Sequence, residues 1–360
     1  MVISIGAEGA IVAGDFISET ISNRHSVNNC VSVVHVAGDG SHVAPGDNAA
    51  SFRCRAFILL STYNGEAYVQ ELLDSLVTQT HTDWVLYWRD DGSSDATVSI
   101  MEQFRDLIGD DRCIRHFGPN GRLGPAGSFM ALLRAAAPAL RADDVIAFAD
   151  QDDIWLPDKL LRGLTALTTT EPGVPSLYCA SLVVVDAQLR RLGETLIHPE
   201  KCGFPASLTQ NIAAGCTIVL NRDAVMLVCA STVPSRSVHD WWCYLLITAA
   251  GGRVMVDDVP VALYRQHASN AIGVAQSKTR RALAAVRRGP RAFMDILRQH
   301  VDALADQPDL IGAPARESLA RLQRGLRGGF SAKLGALRLP DLKRQNWQET
   351  LLFRIWFLIG

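Results

Sequence analysis

Asp150, Asp152 and Asp153 follow directly on the apolar run "VIAFA", and carboxylates at that spacing can hold a divalent cation. If the chain stays extended, Asp150 and Asp152 face the same side. Two carboxylates so placed make an incomplete oxygen site, of the kind Mg2+ or Mn2+ completes with substrate phosphates and water. Asp153 points elsewhere and can cap the helix that Pro157 begins. The alternative is a solvated acidic turn, but a strand as apolar as "VIAFAD" belongs inside a fold, so the metal is the preferred assignment.

Four further clusters carry residue types that bind or move charge. "STYNGEAY" (61–68) joins an apolar run to a helix, where free N–H groups and hydroxyls can hold a nucleotide; it also suits a plain Asn-Gly turn. "RDDGSSD" (89–95) offers adjacent carboxylates to a base N–H or to ribose hydroxyls, or else a simple Asp-Gly turn with a helix cap at Ser93 or Ser94. In "HDWW" (239–242), Asp240 is either a favourable charge at a helix start or a general base facing an acceptor hydroxyl. Trp241 and Trp242 are either core or an apolar wall for a sugar. "YRQHASN" (264–270) offers Arg265 to a diphosphate and His267 to a metal, unless it is an ordinary surface loop.

The elements that must position these clusters are legible in the periodicity. "AFILLS", "WVLYWRD", "RCIRHF" and "DDVIAFAD" are predicted strands. Between them "EAYVQELLDSLVTQ", "SSDATVSIMEQFRDL" and "GPAGSFMALLRAAA" have the apolar spacing of helices. Such alternation predicts an α/β fold with a mostly parallel central sheet and helices on both faces. Ligands bind such sheets at the carboxyl ends of the strands, which is where the polar clusters fall. Further on, "SLYCASLVVVD" reads as a strand and "SLTQNIAAGCTIVLN" as a helix start followed by a strand. "HDWWCYLLITAAGG" reads as a helix, and "RVMVDDVPVALYRQH" as two short strands.

Composition bounds the rest. With 48% hydrophobic and 20% charged residues in 360, the chain can bury a large core. Residues 1–55 lack periodicity and are expected to form an N-terminal extension; 56–275 are expected to form the principal domain, and 276–360 a basic, mainly helical tail. The net charge of -2 hides 16 Lys or Arg against 7 Asp or Glu in that tail. Such a tail can meet anionic lipid, nucleic acid or an acidic partner, although no basic motif is interleaved with base-stacking aromatics. Eight cysteines without a C-x-x-C pair suggest a reducing, cytoplasmic compartment. No secretory signal and no apolar run of membrane-spanning length are evident.

Taken in order, the clusters resemble the bacterial family-2 glycosyltransferases of the GT-A fold. The likeness is strongest to the rhamnosyltransferase-like branch, in which "LLSTYNGE", "RDDGSSD", "DQDDIWLPDKL", "HDWW" and "YRQH" recur almost as they stand here. It spans about Ala56 to Gly273. The resemblance implies an inverting transfer of a sugar from a nucleotide-diphospho-sugar donor, with Mg2+ or Mn2+ on the diphosphate. It makes Thr62, Tyr63 and Glu66 nucleotide-pocket positions and Asp91 the carboxylate that reads the base. It makes Asp152 a metal ligand, Asp150 a contact to the ribose or the metal's water shell, Asp240 the catalytic base and His267 a further metal ligand. By resemblance the donor is dTDP-rhamnose and the acceptor a saccharide or lipid-linked saccharide in cell-surface polysaccharide synthesis. The enzyme would then be cytoplasmic, with the basic tail and the apolar "LLFRIWFLIG" in peripheral contact with the inner face of the membrane. The Q-x-x-R-W element of processive synthases is missing, so one or a few sugars are expected per acceptor. Two other classes compete: a sugar-phosphate nucleotidyltransferase, and a nucleotide-sugar-binding protein without activity.

Overall fold

The computed structural model describes residues 54–118, 121–267 and 278–360, together with the backbone strand at 31–33. The remainder of the expected extension over 1–55 lies outside the described residues. In chain order the first elements are β1 (Val31–Val33), β2 (Ala56–Thr62), α1 (Val69–Val77), β3 (Trp84–Asp90), α2 (Thr97–Ile108), β4 (Cys113–Arg115), α3 (Gly124–Ala136) and β5 (Val145–Asp150). There follow β6 (Ile154–Trp155), α4 (Lys159–Leu167), β7 (Ser176–Ala180), β8 (Val183–Asp186), β9 (Arg191–Glu194), β10 (Val219–Asn221), α5 (Arg222–Cys229), α6 (His239–Ala249), β11 (Arg253–Asp257) and β12 (Ala262–Gln266). The tail supplies α7 (Lys278–Ala305), interrupted at Gly289 and Pro290, then α8 (Ala313–Arg327), α9 (Phe330–Leu337) and α10 (Trp347–Ile359).

The central sheet runs β1-β11-β7-β10-β5-β2-β3-β4. Every neighbouring pair is parallel except those of β10, which runs antiparallel to β5 and β7. The apolar run of β2 explains its central place. Phe57 and Leu59 face a core shared with α3, α5 and α6, whereas Ile58 and Leu60 face one shared with α1, α2 and α4. A strand covered on both faces must be apolar at every position. Burying each such Leu or Ile contributes about 1.5–3 kcal/mol.

A second, smaller sheet runs β6-β12-β8-β9. The stretch expected to be one strand, "SLYCASLVVVD", breaks at Ser181 and Leu182, so that β7 stays in the central sheet and β8 pairs with β12. The amide of Ser181 donates to Asp257 O and its carbonyl accepts from Val261 N, which carries both chain segments across between sheets. The stretch "SLTQNIAAGC", expected to start a helix, makes only 3-10 turns at Ala206–Leu208 and Gly215–Thr217. The tail helices bury Met294, Leu297, Val301, Leu319, Phe353 and Phe357 in the same core as Trp242 and Leu245 of α6.

Candidate active site

The loops that leave β2, β3 and β5 lie side by side and are tied by their own polar groups. The Tyr63 amide donates to Gln151 Oε1 at 2.9 Å, and Gln151 Nε2 returns a bond to Tyr63 O at 3.0 Å. The Asn64 amide donates to Ser93 Oγ at 2.9 Å and the Ser94 amide to Asn64 Oδ1 at 2.9 Å. Glu66 accepts from Ala96 N at 2.9 Å while its own amide donates to Asp95 Oδ2 at 3.1 Å. These bonds correct the expected helix cap. Neither Ser93 nor Ser94 caps α2; its first turn is held by Asp95, whose Oδ1 accepts from Thr97 N at 3.0 Å. A Cβ at Gly65 would fall 2.3 Å from Gln151 Oε1, so any side chain there would displace the Gln151 amide.

Thr62, Tyr63 and Glu66 therefore differ in kind. The Thr62 side chain is buried and donates to Asp90 Oδ1 at 3.0 Å. Glu66 fastens one loop to the next. Of the three, Tyr63 presents its ring to the cleft, with the Arg122 guanidinium 3.8 Å from the ring centroid. They bound a cleft of about 370 Å³ with Arg89, Asp90, Asp91 and Phe117. Asp91 sits at its floor. It accepts from Arg89 Nη1 at 2.6 Å, from Leu123 N at 2.7 Å and from Gly124 N at 2.8 Å at the start of α3. Burial pushes the Asp91 carboxyl up, but those two amides and the Arg89 guanidinium outweigh it and hold the group below its ordinary range.

The three aspartates after β5 occupy three different environments. Asp152 meets His267, Oδ2 to Nε2, at 2.8 Å, and the His267 ring stacks on Tyr68 with centroids 4.7 Å apart. Asp153 does not cap α4, as the sequence suggested: no side chain caps that helix. Because β6 pairs with β12, Asp153 is turned inward, and its Oδ1 accepts from Arg265 N at 3.2 Å. Its Oδ2 is buried without a hydrogen-bond partner. Asp150, Asp153 and Cys216 bring ligand atoms within 4.8 Å of one another. Burial raises Asp153 and the Cys216 thiol well above their ordinary values, and it lowers Lys159, buried beside them, well below its own. Asp150 is lifted to about 7 by burial first, then by the charges of Asp152 and Asp240.

Arg265 is placed differently from the expectation of a diphosphate ligand. It is 2% exposed, and its guanidinium donates to Asp152 O at 3.0 Å, to Ala187 O at 3.1 Å and to Glu71. A side chain so committed braces the acidic turn against the second sheet. Asp240 opens α6, as expected, and accepts from Trp241 N at 2.6 Å and Gly215 N at 3.2 Å. Burial lifts its carboxyl to about 6, against the pull of the Trp241 amide, the Asn211 side chain and the Gly215 amide. Asp240 lies near enough to Asp150 for its charge to help raise that carboxyl. Trp242 is core, with Nε1 donating to Ser231 Oγ at 2.8 Å, whereas the half-buried Trp241 donates from Nε1 to Ser207 O at 2.8 Å.

Two donor sets can be weighed as metal ligands. Asp153 and Cys216 are buried, and a neutral thiol is a poor ligand for a hard cation, so an ion there could not reach a diphosphate. Asp152 and His267 keep 18% and 12% of their side chains exposed. A carboxylate and an imidazole leave several coordination positions for phosphate and water. The pair fits. Sequence reasoning missed Gln151, Arg89, Arg122 and Asn211; the first three lie inside or beside quoted motifs, and for Asn211 only its nearness to "AAGC" pointed to the site.

Residues 57–224 match the family model described as glycosyl transferase family 2. The chain is 26% identical over 225 residues to the dTDP-rhamnosyl transferase RfbG of Shigella flexneri, covering 59% of this chain and 73% of that protein. It is 28% identical over 191 residues to the UDP-Glc:alpha-D-GlcNAc-diphosphoundecaprenol beta-1,3-glucosyltransferase WfgD of Escherichia coli, covering 53% and 68%. Among solved structures, S. aureus TarS 1–349 in complex with UDP-GlcNAc aligns at 13% identity with a TM-score of 0.48, over 84% of this chain and 90% of that one.

Proposed function

Given that the chain belongs to glycosyl transferase family 2 and is a glycosyltransferase, we propose that it is metal-dependent, inverting and non-processive, moving rhamnose from dTDP-rhamnose to a saccharide or lipid-linked saccharide. The observation that carries this reading is convergence. Asp240, at the start of α6, accepts from Gly215 N, and the thiol of the next residue, Cys216, lies within 4.8 Å of the carboxylate of Asp150, two residues before Asp152, although 88 residues separate Asp152 from Asp240.

In this reading Asp152 and His267 would hold Mg2+ or Mn2+. When bound, the cation neutralises charge on the departing diphosphate. Tyr63 and Arg122 form the stacking platform for the base, and Asp91 offers it an acceptor. Arg89 fixes Asp91 by donating also to Ser128 Oγ at 2.7 Å and Gly121 O at 2.7 Å. Arg265 keeps the Asp152 turn and β12 in register. Asp240, ionised above about pH 6, takes the proton of the acceptor hydroxyl as that oxygen attacks the anomeric carbon. One displacement inverts the centre, so no enzyme nucleophile is needed. Arg115, over the exposed Phe117 ring at 4.8 Å, closes the outer rim of the donor cleft.

The test is a donor screen with Mn2+ present, followed by product analysis. Release of nucleoside diphosphate with inversion supports the reading, and release of pyrophosphate identifies a nucleotidyltransferase instead. Asp240→Asn should lower transfer by about 10²–10⁴-fold while donor binding persists. Asp152→Ala should abolish the metal dependence of donor binding; an unchanged dependence overturns the ligand assignment.

A further inference from the structure

The sequence of α10, "WQETLLFRIWFLI", is apolar around most of its circumference. A helix of that kind is normally covered on all sides or lies against lipid. Only one side is covered. Phe353 and Phe357 are buried against the rest of the core, whereas Trp347, Leu351, Ile355 and Ile359 are 72%, 52%, 46% and 68% exposed. These four recur at intervals of four residues and so lie along one face. Beside it stands α9, whose Lys333 Nζ donates to Leu358 O at 3.0 Å and whose own outward residues include Phe330 and Leu334.

Two observations say what covers this face. The first is charge. Arg338 and Arg354 are exposed on the two helices and make no ion pair among the described residues. The nearby carboxylates Asp341 and Glu349 are engaged by Lys343 at 2.8 Å and Arg344 at 3.1 Å. A symmetric contact with a second copy would set this face, with its uncompensated arginines, against itself. The second is position. The segment that leads into Trp347 clamps the loop next to the catalytic base. Thr209 Oγ1 donates to Lys343 O at 2.9 Å, Arg344 Nη1 to Thr209 O at 2.6 Å, and the Gln345 amide to Gln210 Oε1 at 3.1 Å. The side chain of the next residue, Asn211, lies near enough to Asp240 to favour its ionised form.

We propose that the outer face of α9 and α10 docks on an anionic bilayer, with Trp347, Leu351, Ile355 and Ile359 entering the interface and Arg338 and Arg354 meeting lipid phosphates. At 13 residues, α10 is about 20 Å long and lies on the surface without crossing it. None of the helices among the described residues is long and apolar enough to span. Docking there brings the acceptor side of the cleft next to the membrane, where a lipid-linked saccharide presents its sugar. This last step rests on the proposed function; the surface itself does not.

The test is flotation of the full chain with vesicles of phosphatidylcholine alone, or of phosphatidylcholine and phosphatidylglycerol in equal parts. Binding is expected to the anionic vesicles, falling about tenfold or more in the double variant Leu351→Glu, Ile355→Glu. Arg338→Gln and Arg354→Gln should each lower it about fivefold. Nucleotide-sugar binding and the thermal midpoint should not change in any of these variants. Equal flotation of wild type and variants overturns the proposal, as does failure of the wild type to float. So does a wild-type dimer, seen by sedimentation velocity, that the double variant abolishes. Loss of nucleotide-sugar binding in the wild type would instead count against the proposed function and leave the vesicle result standing.

Discussion

Asn211→Ala is the perturbation that best separates the role of Asp240 as a base from a merely structural one. Three groups favour the ionised form of Asp240: the amides of Trp241 and Gly215, which hydrogen-bond it, and the nearby side chain of Asn211. The Asn211 Oδ1 accepts from Ala213 N at 3.1 Å, which leaves its amide nitrogen as the end able to favour a carboxylate. Burial has already lifted Asp240 from 3.8 to about 6. A hydrogen bond to a charged group contributes about 1.5–3 kcal/mol, and water entering this half-buried position restores part of it. A net loss of about 1.4 kcal/mol is one pH unit. The sign is upward, because the lost donor favoured the charged form. A base must be ionised to work, so transfer is lost as pH falls through its pKa. The acid limb of kcat/KM should therefore move from about 6 in the wild type to about 7 in the variant, with the alkaline plateau kept within a few-fold. Asn211→Ser, which retains a donor, should recover part of the shift. The assay is a pH profile of transfer at subsaturating donor. An acid limb that does not move, or a collapsed plateau without any movement of the limb, would refute the reasoning.

Two further outcomes follow from the geometry. Gly65→Ala pushes the Gln151 amide off Tyr63, removing two hydrogen bonds at about 0.5–1.5 kcal/mol each. Donor KM should rise about tenfold or more with little change in the thermal midpoint, and an unchanged KM would show that this loop does not hold the nucleotide. Arg162 grips Asp257 with two bonds of 2.8 and 2.9 Å beneath the sheets, and Tyr178 Oη donates to the same carboxylate at 2.7 Å. Arg162→Met should cost about 3–5 kcal/mol in urea unfolding by leaving Asp257 buried and unpaired. A loss under about 1 kcal/mol would mean that water reaches the carboxylate.

How much of this was legible in the sequence depends on whether the deciding contact is local. The run "AFILLST" is apolar at successive positions, which already states that both faces are covered, and β2 lies at the centre of the sheet. Asp240 is at the start of its helix for the same local reason. Asp153 and Arg265 could not be read in this way. Whether Asp153 caps a helix or turns inward depends on β6 pairing with β12, more than 100 residues later, and the same pairing buries Arg265 under the acidic turn. The single strand expected at "SLYCASLVVVD" fails similarly, because nothing in its alternation shows that two sheets divide at Ser181. The tail was legible as helical and basic, yet "LLFRIWFLIG" does not say which of its apolar residues face inward. That is set by the core formed with α6, which takes Phe353 and Phe357 and leaves Leu351 and Ile355 outside.

The carboxylates of the site also carry less charge than their number suggests. Asp153, Cys216 and Lys159 lie together without access to water, and burial, as the largest influence on each, drives all three toward their neutral forms. Lys159 has little else to hold an ammonium: Phe148 O at 3.4 Å and the face of Trp155 at 2.9 Å from the ring centroid. Asp150, lifted to about 7, is ionised only partly near neutrality, whereas Asp240, lifted to about 6, is mostly ionised there. Asp152, paired with His267, is the partly exposed carboxylate that the proposed mechanism sets against a diphosphate. A donor that is itself anionic would be repelled by four ionised aspartates. The inward turn of Asp153 and the raised pKa of Asp150 reduce that repulsion, which in the proposed mechanism would leave the Asp152–His267 pair for a metal and Asp240 as the base for the acceptor.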